Sequence, residues 1–289
     1  MGLYDAIFLC AVFPQRVRQY APNLFERIRV TRALLESADL AGTVSRRLNE
    51  IVVHAAGTCP FWQRRFADAG IKPSSVESLA DLSKLPLLEK SEIRENLNDL
   101  SSTAIGPAQR QADLTGGSTA APLRFYRDPE CVANRVANEW IYFDWYGRTP
   151  FDRWGHIWGA QQDIGAASTW KARLRSRLLD RAIVLPGNHL NPAMIDDFLE
   201  RMSHFRPRFL HAYSQAAFLV ARRALEVNRD LPPVDMVTVT AEPISEEQRE
   251  TVNKAFACST YSIYGTRECG MIAAEAPDSR HPRSVRCAL

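Results

Sequence analysis

Strand-like and helix-like segments alternate along the chain from residue 123 to residue 275. Apolar, β-branched runs are separated by helical patterns of roughly 12 to 18 residues. Parallel strands need such long crossover connections, so the alternation predicts βαβ units and a mostly parallel sheet. The expected fold class is α/β. The expected organisation is a helical N-terminal segment over 1–100, an α/β body over 101–277 and an irregular tail over 278–289.

Helix caps and turn residues set the expected boundaries. Asp128-Pro129 and Asn191-Pro192 each open a helix, and Ser245 with Gln248 forms a capping box. The expected helices are 128–146, 168–181, 191–205, 215–227 and 245–256. The expected strands are 123–127, 153–159, 182–185, 208–213, 234–241, 260–264 and 271–275.

Composition restricts the class of protein. Of 289 residues, 46% are hydrophobic and 24% charged, with a net charge of +3, so nothing favours a nucleic-acid partner. The six cysteines form no C-x-x-C pair, which favours a reducing cytoplasm over a disulfide framework or a zinc site. The apolar segment 6–13 is too short to span a bilayer and predicts a packed helix, with membrane-surface contact as the alternative. The sequence is compatible with a homodimer.

The segment 115–123 is rich in glycine and in small hydroxyl residues. Its backbone N–H groups and hydroxyls can converge on one anion, most plausibly phosphate, although a flexible surface turn has the same composition. It fits neither the Walker pattern nor G-x-G-x-x-G. It nearly fits the nucleophile elbow of serine hydrolases, but Ala120 replaces the last glycine and a strand, not a helix, follows Ser118. A serine hydrolase is therefore the least favoured interpretation.

Parallel sheets bind ligands at the carboxyl ends of their strands. The segments 158–160, 240–243 and 264–268 follow three of the expected strands and are candidates for one site. His156 and Trp158 lie on the strand that ends in the first of these segments. Core packing of Trp158 and a hydrogen-bonded histidine are equally good interpretations of that pair.

Three motifs resemble those of the adenylate-forming superfamily, in particular its phenylacetate–CoA ligase and CapK-like branch. Segment 115–123, Thr-Gly-Gly-Ser-Thr-Ala-Ala-Pro-Leu, resembles the phosphate loop [ST]-[SG]-G-[ST]-[ST]-G-x-P. Segment 241–249 resembles the adenine-side loop GEPLTEEQR, and segment 264–275 resembles YGxxExGxIAxE. They occur in the family's order, and the similarity extends over nearly the whole chain to about Pro277.

The resemblance implies a function and a set of site residues. Complete relatives convert a small-molecule carboxylate and ATP to an acyl-adenylate, and usually then to a coenzyme A thioester. Glu268 corresponds to the carboxylate that holds Mg²⁺ and, with Thr119, is the implied catalytic residue; a solvated loop residue is the alternative for Glu268. His156 and Trp158 are candidates for the acyl pocket. The implied nucleotide-binding residues are Thr115, Gly116, Gly117, Ser118, Thr119, Ala241, Glu242, Pro243, Tyr264, Gly265 and Thr266.

The chain also departs from the family. Ala120 stands where the loop usually has glycine, and Leu123 where many relatives have lysine. The ribose-binding aspartate and the small C-terminal domain with its lysine are expected to be absent, which predicts a C-terminally truncated member. Whether the chain is itself an enzyme is therefore left open, and a catalytically inactive remnant that binds a nucleotide or a protein is the second hypothesis.

Overall fold

The computed structural model describes residues 8–115, 122–150, 152–158, 176–187, 189–276 and 285–287. These residues form two compact units. The sheet unit comprises the described residues of 1–19, 139–266 and 271–288. The hairpin unit comprises the described residues of 20–138 together with 267–270. The expected organisation into segments 1–100, 101–277 and 278–289 stays a prediction.

Short π-helical turns cover Phe8–Val12 and Ser176–Asp180, and 3-10 turns cover Pro73–Ser75 and Pro107–Gln109. The α-helices are α1 (Phe13–Tyr20), α2 (Leu24–Leu35), α3 (Leu40–Thr58), α4 (Pro60–Asp68), α5 (Leu79–Leu82), α6 (Lys90–Glu95), α7 (Pro129–Asp144), α8 (Pro192–Phe205), α9 (Ser214–Glu226) and α10 (Glu246–Phe256). The strands are β1 (Gln111–Leu114), β2 (Arg124–Arg127), β3 (Trp154–Trp158), β4 (Ala182–Pro186), β5 (Phe209–Tyr213), β6 (Met236–Thr240), β7 (Ser259–Thr266), β8 (Gly270–Glu275) and β9 (Val285–Cys287).

The sheet unit is built on one sheet with strand order β4-β3-β5-β6-β7-β8-β9. The pairs β3–β4, β3–β5, β5–β6 and β6–β7 are parallel, whereas β8 and β9 are antiparallel. Helices α8, α9 and α10 are the crossovers that connect β4, β5, β6 and β7 in turn. The expectation of an α/β fold with a mostly parallel sheet is confirmed.

One hydrophobic core of the sheet unit lies between the strands and the crossover helices. Phe198, Leu199 and Met202 of α8 are fully buried, as are Val220 and Ala221 of α9. Burial of one such large side chain contributes roughly 1.5–3 kcal/mol. The start of α8 is set locally, because the Asn191 side chain accepts a hydrogen bond from the Met194 N–H and Pro192 occupies the first turn.

A second core of the sheet unit surrounds a buried arginine. The guanidinium of Arg148 lies 4.3 Å from the ring centroid of Trp140, 5.3 Å from that of Phe143 and 5.1 Å from that of Trp154. Its Nη1 lies 3.4 Å from Oε1 of Glu139. Burial lowers the pKa of Arg148 despite that carboxylate. The aromatic faces and Glu139 stabilise a cation that would otherwise be costly in a core.

Two histidines lie beside this arginine on neighbouring strands. His156 and His211 are register partners, and their ring centroids are 6.2 Å apart. Nδ1 of His211 lies 2.8 Å from Oγ1 of Thr238, whose hydroxyl donates to the Leu210 carbonyl at 3.2 Å. Because the Thr238 proton is used there, we assign the donor in the His211–Thr238 bond to Nδ1. Burial lowers the pKa of His211 to about 3, so at pH 7 it is a neutral imidazole, and this assignment leaves Nε2 as its acceptor.

The hairpin unit combines the N-terminal helices with one β-hairpin. Val52 and Ala56 of α3 pack with Phe66 of α4 and with Val76 and Leu85, which gives the helices a core of their own. Strands β1 and β2 pair antiparallel. Strand β1 was not predicted, because its four residues, Gln-Ala-Asp-Leu, include no β-branched or aromatic side chain and form only a short run.

Two further expectations differ from the structure or fall partly outside the described residues. Within the tail expected to be irregular, Val285–Cys287 form β9 against β8. The tripeptide alternates apolar, charged and apolar side chains, which suits an added strand. Of the helix expected over 168–181, residues 168–175 lie outside the described residues, and Ser176–Asp180 form a π-helical turn. No helix in the described part of the chain is both long and apolar enough to cross a bilayer.

We predict that Ala257→Gly stabilises the protein. Ala257 follows α10 with a φ of 51°, in the left-handed region, where glycine has no Cβ to strain the backbone. The expected gain is about 0.5–1 kcal/mol in the free energy of unfolding, measured by urea denaturation. Ala257→Val is the matched opposite change and should destabilise, because a β-branched residue fits that region least. Equal stability of the two variants would contradict the prediction.

We also predict that stability falls as the pH falls below about 6.5. Burial, helped by the Arg148 charge and opposed by Asp180, lowers the pKa of His156 from 6.5 to about 4. Burial, with His156 and Arg148, lowers that of His211 to about 3. Each histidine is therefore protonated in the unfolded chain before it is protonated in the folded one, and stability is lost as pH falls towards the folded pKa.

The free energy of unfolding should fall with decreasing pH by up to about 1.4 kcal/mol per pH unit for each histidine. Urea denaturation between pH 5 and pH 7 measures it, above most carboxylate titrations. His156→Phe keeps an aromatic ring and removes one titrating group. The unfolding free energy of this variant should therefore depend less on pH, by about the contribution of one histidine. An unchanged slope in that variant would contradict the assignment.

Candidate functional site

The base of the Gly-rich loop is closed by reciprocal hydrogen bonds in the hairpin unit. The Thr115 N–H donates to the Leu123 carbonyl, and the Leu123 N–H donates to Oγ1 of Thr115, both at 2.9 Å. Because the Thr115 oxygen accepts, its hydroxyl proton remains for a ligand. The predicted phosphate-binding residues Gly116, Gly117, Ser118 and Thr119 lie outside the described residues, as does Ala120.

Two residues before Thr115, the carboxylate of Asp113 joins two guanidinium groups. Arg127 of β2 donates to one oxygen, and Arg267 donates to the other at 2.7 Å. The Leu114 N–H adds a third hydrogen bond at 2.8 Å. Burial raises the pKa of Asp113, but the hydrogen bond from Arg267 and the neighbouring charges outweigh it and hold the pKa below its ordinary value. The carboxylate is therefore ionised at neutral pH.

The same bridge fixes the turn that carries Glu268. Arg267 and Glu268 belong to the turn between β7 and β8. Besides the Asp113–Arg267 ion pair, Nη1 of Arg127 donates to the Arg267 carbonyl at 3.5 Å. Glu268 itself is exposed. The hairpin unit thus joins the strand that leads to Thr115 with the turn that carries Glu268, although Asp113 and Arg267 are 154 residues apart in sequence.

In the sheet unit, the segment 241–243 forms a turn directly after β6. Ala241 has a φ of 76°, a left-handed conformation that glycine adopts without strain. The fully buried Ser214, at the start of α9, donates its hydroxyl to the Glu242 carbonyl at 2.6 Å and approaches the Thr240 carbonyl at 3.3 Å. Ala241, Glu242 and Pro243 are all exposed on this turn.

The segment 264–266 ends β7 beside that turn. Strands β6 and β7 are parallel, with Val239 opposite Ser262, so the ends of both strands reach one edge of the sheet. Tyr264 is 65% exposed, which leaves its ring face open to a planar ligand. Gly265 is exposed and Thr266 is half-buried. The structure therefore brings the two predicted adenine-side segments together.

His156 and Trp158 lie on β3, farther along the sheet. The Trp158 ring packs 5.1 Å from the His211 centroid and 4.8 Å from that of Tyr213. His156 stacks on Trp154 at 5.9 Å. These contacts give both residues a packing role, and their assignment to an acyl pocket stays a prediction.

Sequence reasoning missed Asp113, Arg127 and Ser214. Asp113 faces Phe125 across the hairpin, and Arg127 lies two residues farther along on the same face. Recognition of β1 as a strand would have revealed that diagonal charge pair. The link to Arg267 leaves no local signal, because it depends on the fold alone.

Two competing site chemistries receive no support from the geometry. Strand β2 follows the Gly-rich loop at Arg124–Arg127, where a nucleophile elbow requires a helix. Within the described ranges, no three histidine, cysteine or acidic residues are placed to share a metal ion.

Comparison with known proteins adds two findings, and no protein-family model matches the chain. The protein CapK of Staphylococcus aureus is 19% identical over 259 residues, which cover 87% of this chain and 55% of CapK. A crystal structure of 2-hydroxyisobutyryl-CoA ligase in complex with 2-HIB-AMP and CoA superposes with a TM-score of 0.67 at 20% identity, covering 89% of this chain and 55% of the ligase.

The same ligase in its postadenylation state, with R3-HIB-AMP, gives a TM-score of 0.65 at 19% identity. The chain therefore spans about half the length of these relatives. The structural likeness shows a shared fold, and the similarity to CapK extends over most of the sequence. Over most of its length the chain therefore has the fold of this adenylate-forming ligase, and its sequence is similar to that of CapK.

Proposed function

We propose that this chain binds ATP with Mg²⁺ for the activation of a small-molecule carboxylate. In that reaction a carboxylate oxygen attacks the α-phosphorus, the bond to the bridging oxygen breaks, and pyrophosphate leaves. The product is an acyl-adenylate. A coenzyme A thiolate then attacks the acyl carbon and releases AMP, which gives the thioester.

The observation that carries this proposal is the Asp113 bridge in the hairpin unit. It ties the strand leading into the Gly-rich loop to the turn that presents Glu268. Phosphate binding requires donors such as the Thr115 hydroxyl and the loop N–H groups, and charge neutralisation requires a metal held by a carboxylate. Glu268 fits this role because it is exposed and makes no ion pair with a described residue.

Within the sheet unit, the edge where β6 and β7 end offers a surface for a nucleobase. The exposed face of Tyr264 offers a stacking surface, and the turn Ala241–Glu242–Pro243 presents backbone groups beside it. Ser214 holds that turn from below through the Glu242 carbonyl. Gly265 leaves the backbone after Tyr264 open to close approach by a ligand.

Magnesium would contribute by neutralising the phosphate oxygens as pyrophosphate leaves. Mg²⁺ prefers six oxygen ligands and usually retains water, so one carboxylate together with phosphate oxygens is an ordinary ligand set for it. We further propose a place in the phenylacetate–CoA ligase and CapK-like branch, with a cytoplasmic location and a role in capsule polysaccharide synthesis. The CapK homology supports that placement.

We predict that ATP binds with Mg²⁺ and that Glu268→Gln weakens this binding about 10- to 100-fold. The change keeps the shape of the side chain and removes the charge that holds the metal. Isothermal titration of the folded protein with ATP, with and without Mg²⁺, measures the affinity. The matched control is Glu50→Gln, an exposed residue of α3, which should leave the affinity unchanged.

The same titration separates the competing functions. Binding of ATP together with pyrophosphate release in the presence of a panel of aryl and aliphatic acids supports the enzyme. Binding without pyrophosphate release supports a nucleotide-binding protein without activity. Failure of the folded wild-type protein to bind ATP at all would rule the proposal out.

We predict that Asp113→Asn lowers both stability and nucleotide affinity. Asp113 is the shared partner of Arg127 and Arg267, and its side chain is 11% exposed, so the loss of its charge removes the carboxylate that both partly buried guanidinium groups share. The expected cost is about 2–3 kcal/mol in the free energy of unfolding, with a further loss of ATP–Mg²⁺ affinity as the Glu268 turn is released.

Urea denaturation and titration with ATP measure the two effects. The control is Glu26→Gln, which breaks the exposed ion pair with Arg29 on α2 and should change neither. An Asp113 variant that binds ATP normally would show that the bridge is not needed to position the site.

A further inference from the structure

Arg135 lies on α7 against the turn that carries Glu268. It follows Cys131 by one helical turn, so the two residues share a face of the helix. At Gly270, which ends the turn with a φ of 80°, an added Cβ would lie 2.9 Å from Nε of Arg135 and 3.3 Å from its Cγ. The Arg135 side chain therefore crosses directly over this glycine.

The charge of Arg135 is not compensated in the described part of the chain. Its guanidinium makes no hydrogen bond or ion pair with any residue that the structure describes, and its Nε is buried without a partner. The carboxylate of Asp113 is already shared by Arg127 and Arg267. No ion pair joins Arg135 to Glu268, although both belong to the same small region.

A half-buried guanidinium without a partner is costly in a folded protein. Arg135 therefore carries a positive charge that no carboxylate of the described residues neutralises. The turn under its side chain also carries the exposed carboxylate of Glu268, which makes no ion pair with a described residue. A ligand that brings both a cation and a polyanion would satisfy the two unpaired groups at once, and a metal-bound phosphate chain has that chemistry.

We propose that Arg135 binds the oxygens of a phosphate chain, either the terminal phosphates of a nucleotide or free pyrophosphate. Its planar fork suits two oxygens of one phosphate, and Gly270 provides the space for it to lie over the turn. The nucleotide form of this inference rests on the proposed function. The binding of pyrophosphate alone does not.

A ligand carboxylate is the competing partner for the guanidinium of Arg135. The phosphate chain is favoured because the base of the Gly-rich loop, with Thr115, lies on the strand that holds Asp113, and because Glu268 presents a ligand suited to a metal. A monocarboxylate would leave Glu268 unpaired, because it brings no cation for that carboxylate.

Isothermal titration with sodium pyrophosphate, ATP and AMP, each with and without Mg²⁺, tests the proposal. Arg135→Gln should weaken the binding of pyrophosphate and ATP about 10- to 100-fold and leave AMP binding unchanged. Arg135→Lys keeps the charge without the planar guanidinium and should lose less of the affinity for pyrophosphate and ATP. The matched control is Arg47→Gln, an exposed arginine of α3 in the same unit.

The dependence on magnesium separates Arg135 from Glu268 and from a structural role. Arg135→Gln should weaken pyrophosphate binding in the absence of Mg²⁺ as well, whereas Glu268→Gln should remove only the part that Mg²⁺ adds. If Arg135 had only a structural role, its replacement would lower stability and change the affinity for all three ligands alike. If Arg135→Gln does not fold, the decision rests on Arg135→Lys.

The outcomes also separate this inference from the proposed function. Pyrophosphate binding that depends on Arg135, with no additional affinity for ATP, would support the inference and contradict the nucleotide assignment. ATP–Mg²⁺ binding that is unchanged in the Arg135 variants would support the assignment and overturn the inference. Displacement of pyrophosphate by millimolar acetate would identify a carboxylate site and overturn it as well.

Discussion

The arrangement of the hairpin unit depends on one buried carboxylate. Asp113 accepts hydrogen bonds from Arg127 within its own hairpin and from Arg267, which is distant in sequence. A buried ion pair contributes little net energy when it forms, but the removal of one partner is costly because the other is left uncompensated. The bridge therefore specifies geometry more than it adds stability. It fixes the turn with Glu268 relative to the strand that leads to Thr115.

The sheet unit positions its candidate residues by a different means. Parallel pairing places the ends of β6 and β7 at one edge, so the two turns need no long-range ion pair to meet. The cost lies in the backbone, because Ala241 adopts a left-handed conformation that costs a non-glycine residue roughly 1 kcal/mol. The hydrogen bond from the buried Ser214 to the Glu242 carbonyl holds the turn in that shape.

The sequence allowed prediction of those elements whose signals are local. Strand β6 is a β-branched apolar run, and Ser245 caps α10 as its pairing with Gln248 predicts. Strand β1 could not be predicted, because its stability comes from pairing with β2 and from the bonds of Asp113. The candidate residues were identified from short motifs, but the contacts that hold them in place were not. No local pattern in the sequence indicates that Asp113 pairs with Arg267 or that Arg135 lies over Gly270.

The distribution of charge favours chemistry by fixed electrostatics over proton transfer. The two histidines of the sheet core, His156 and His211, are neutral at pH 7 with pKa values far below it, so they are poorly matched to acid–base catalysis near neutrality. The hairpin unit instead keeps Asp113 ionised between two guanidinium groups. Transfer at phosphorus depends chiefly on positioning and on stabilisation of negative charge. A fold that keeps His156 and His211 neutral and Asp113 ionised suits the proposed reaction.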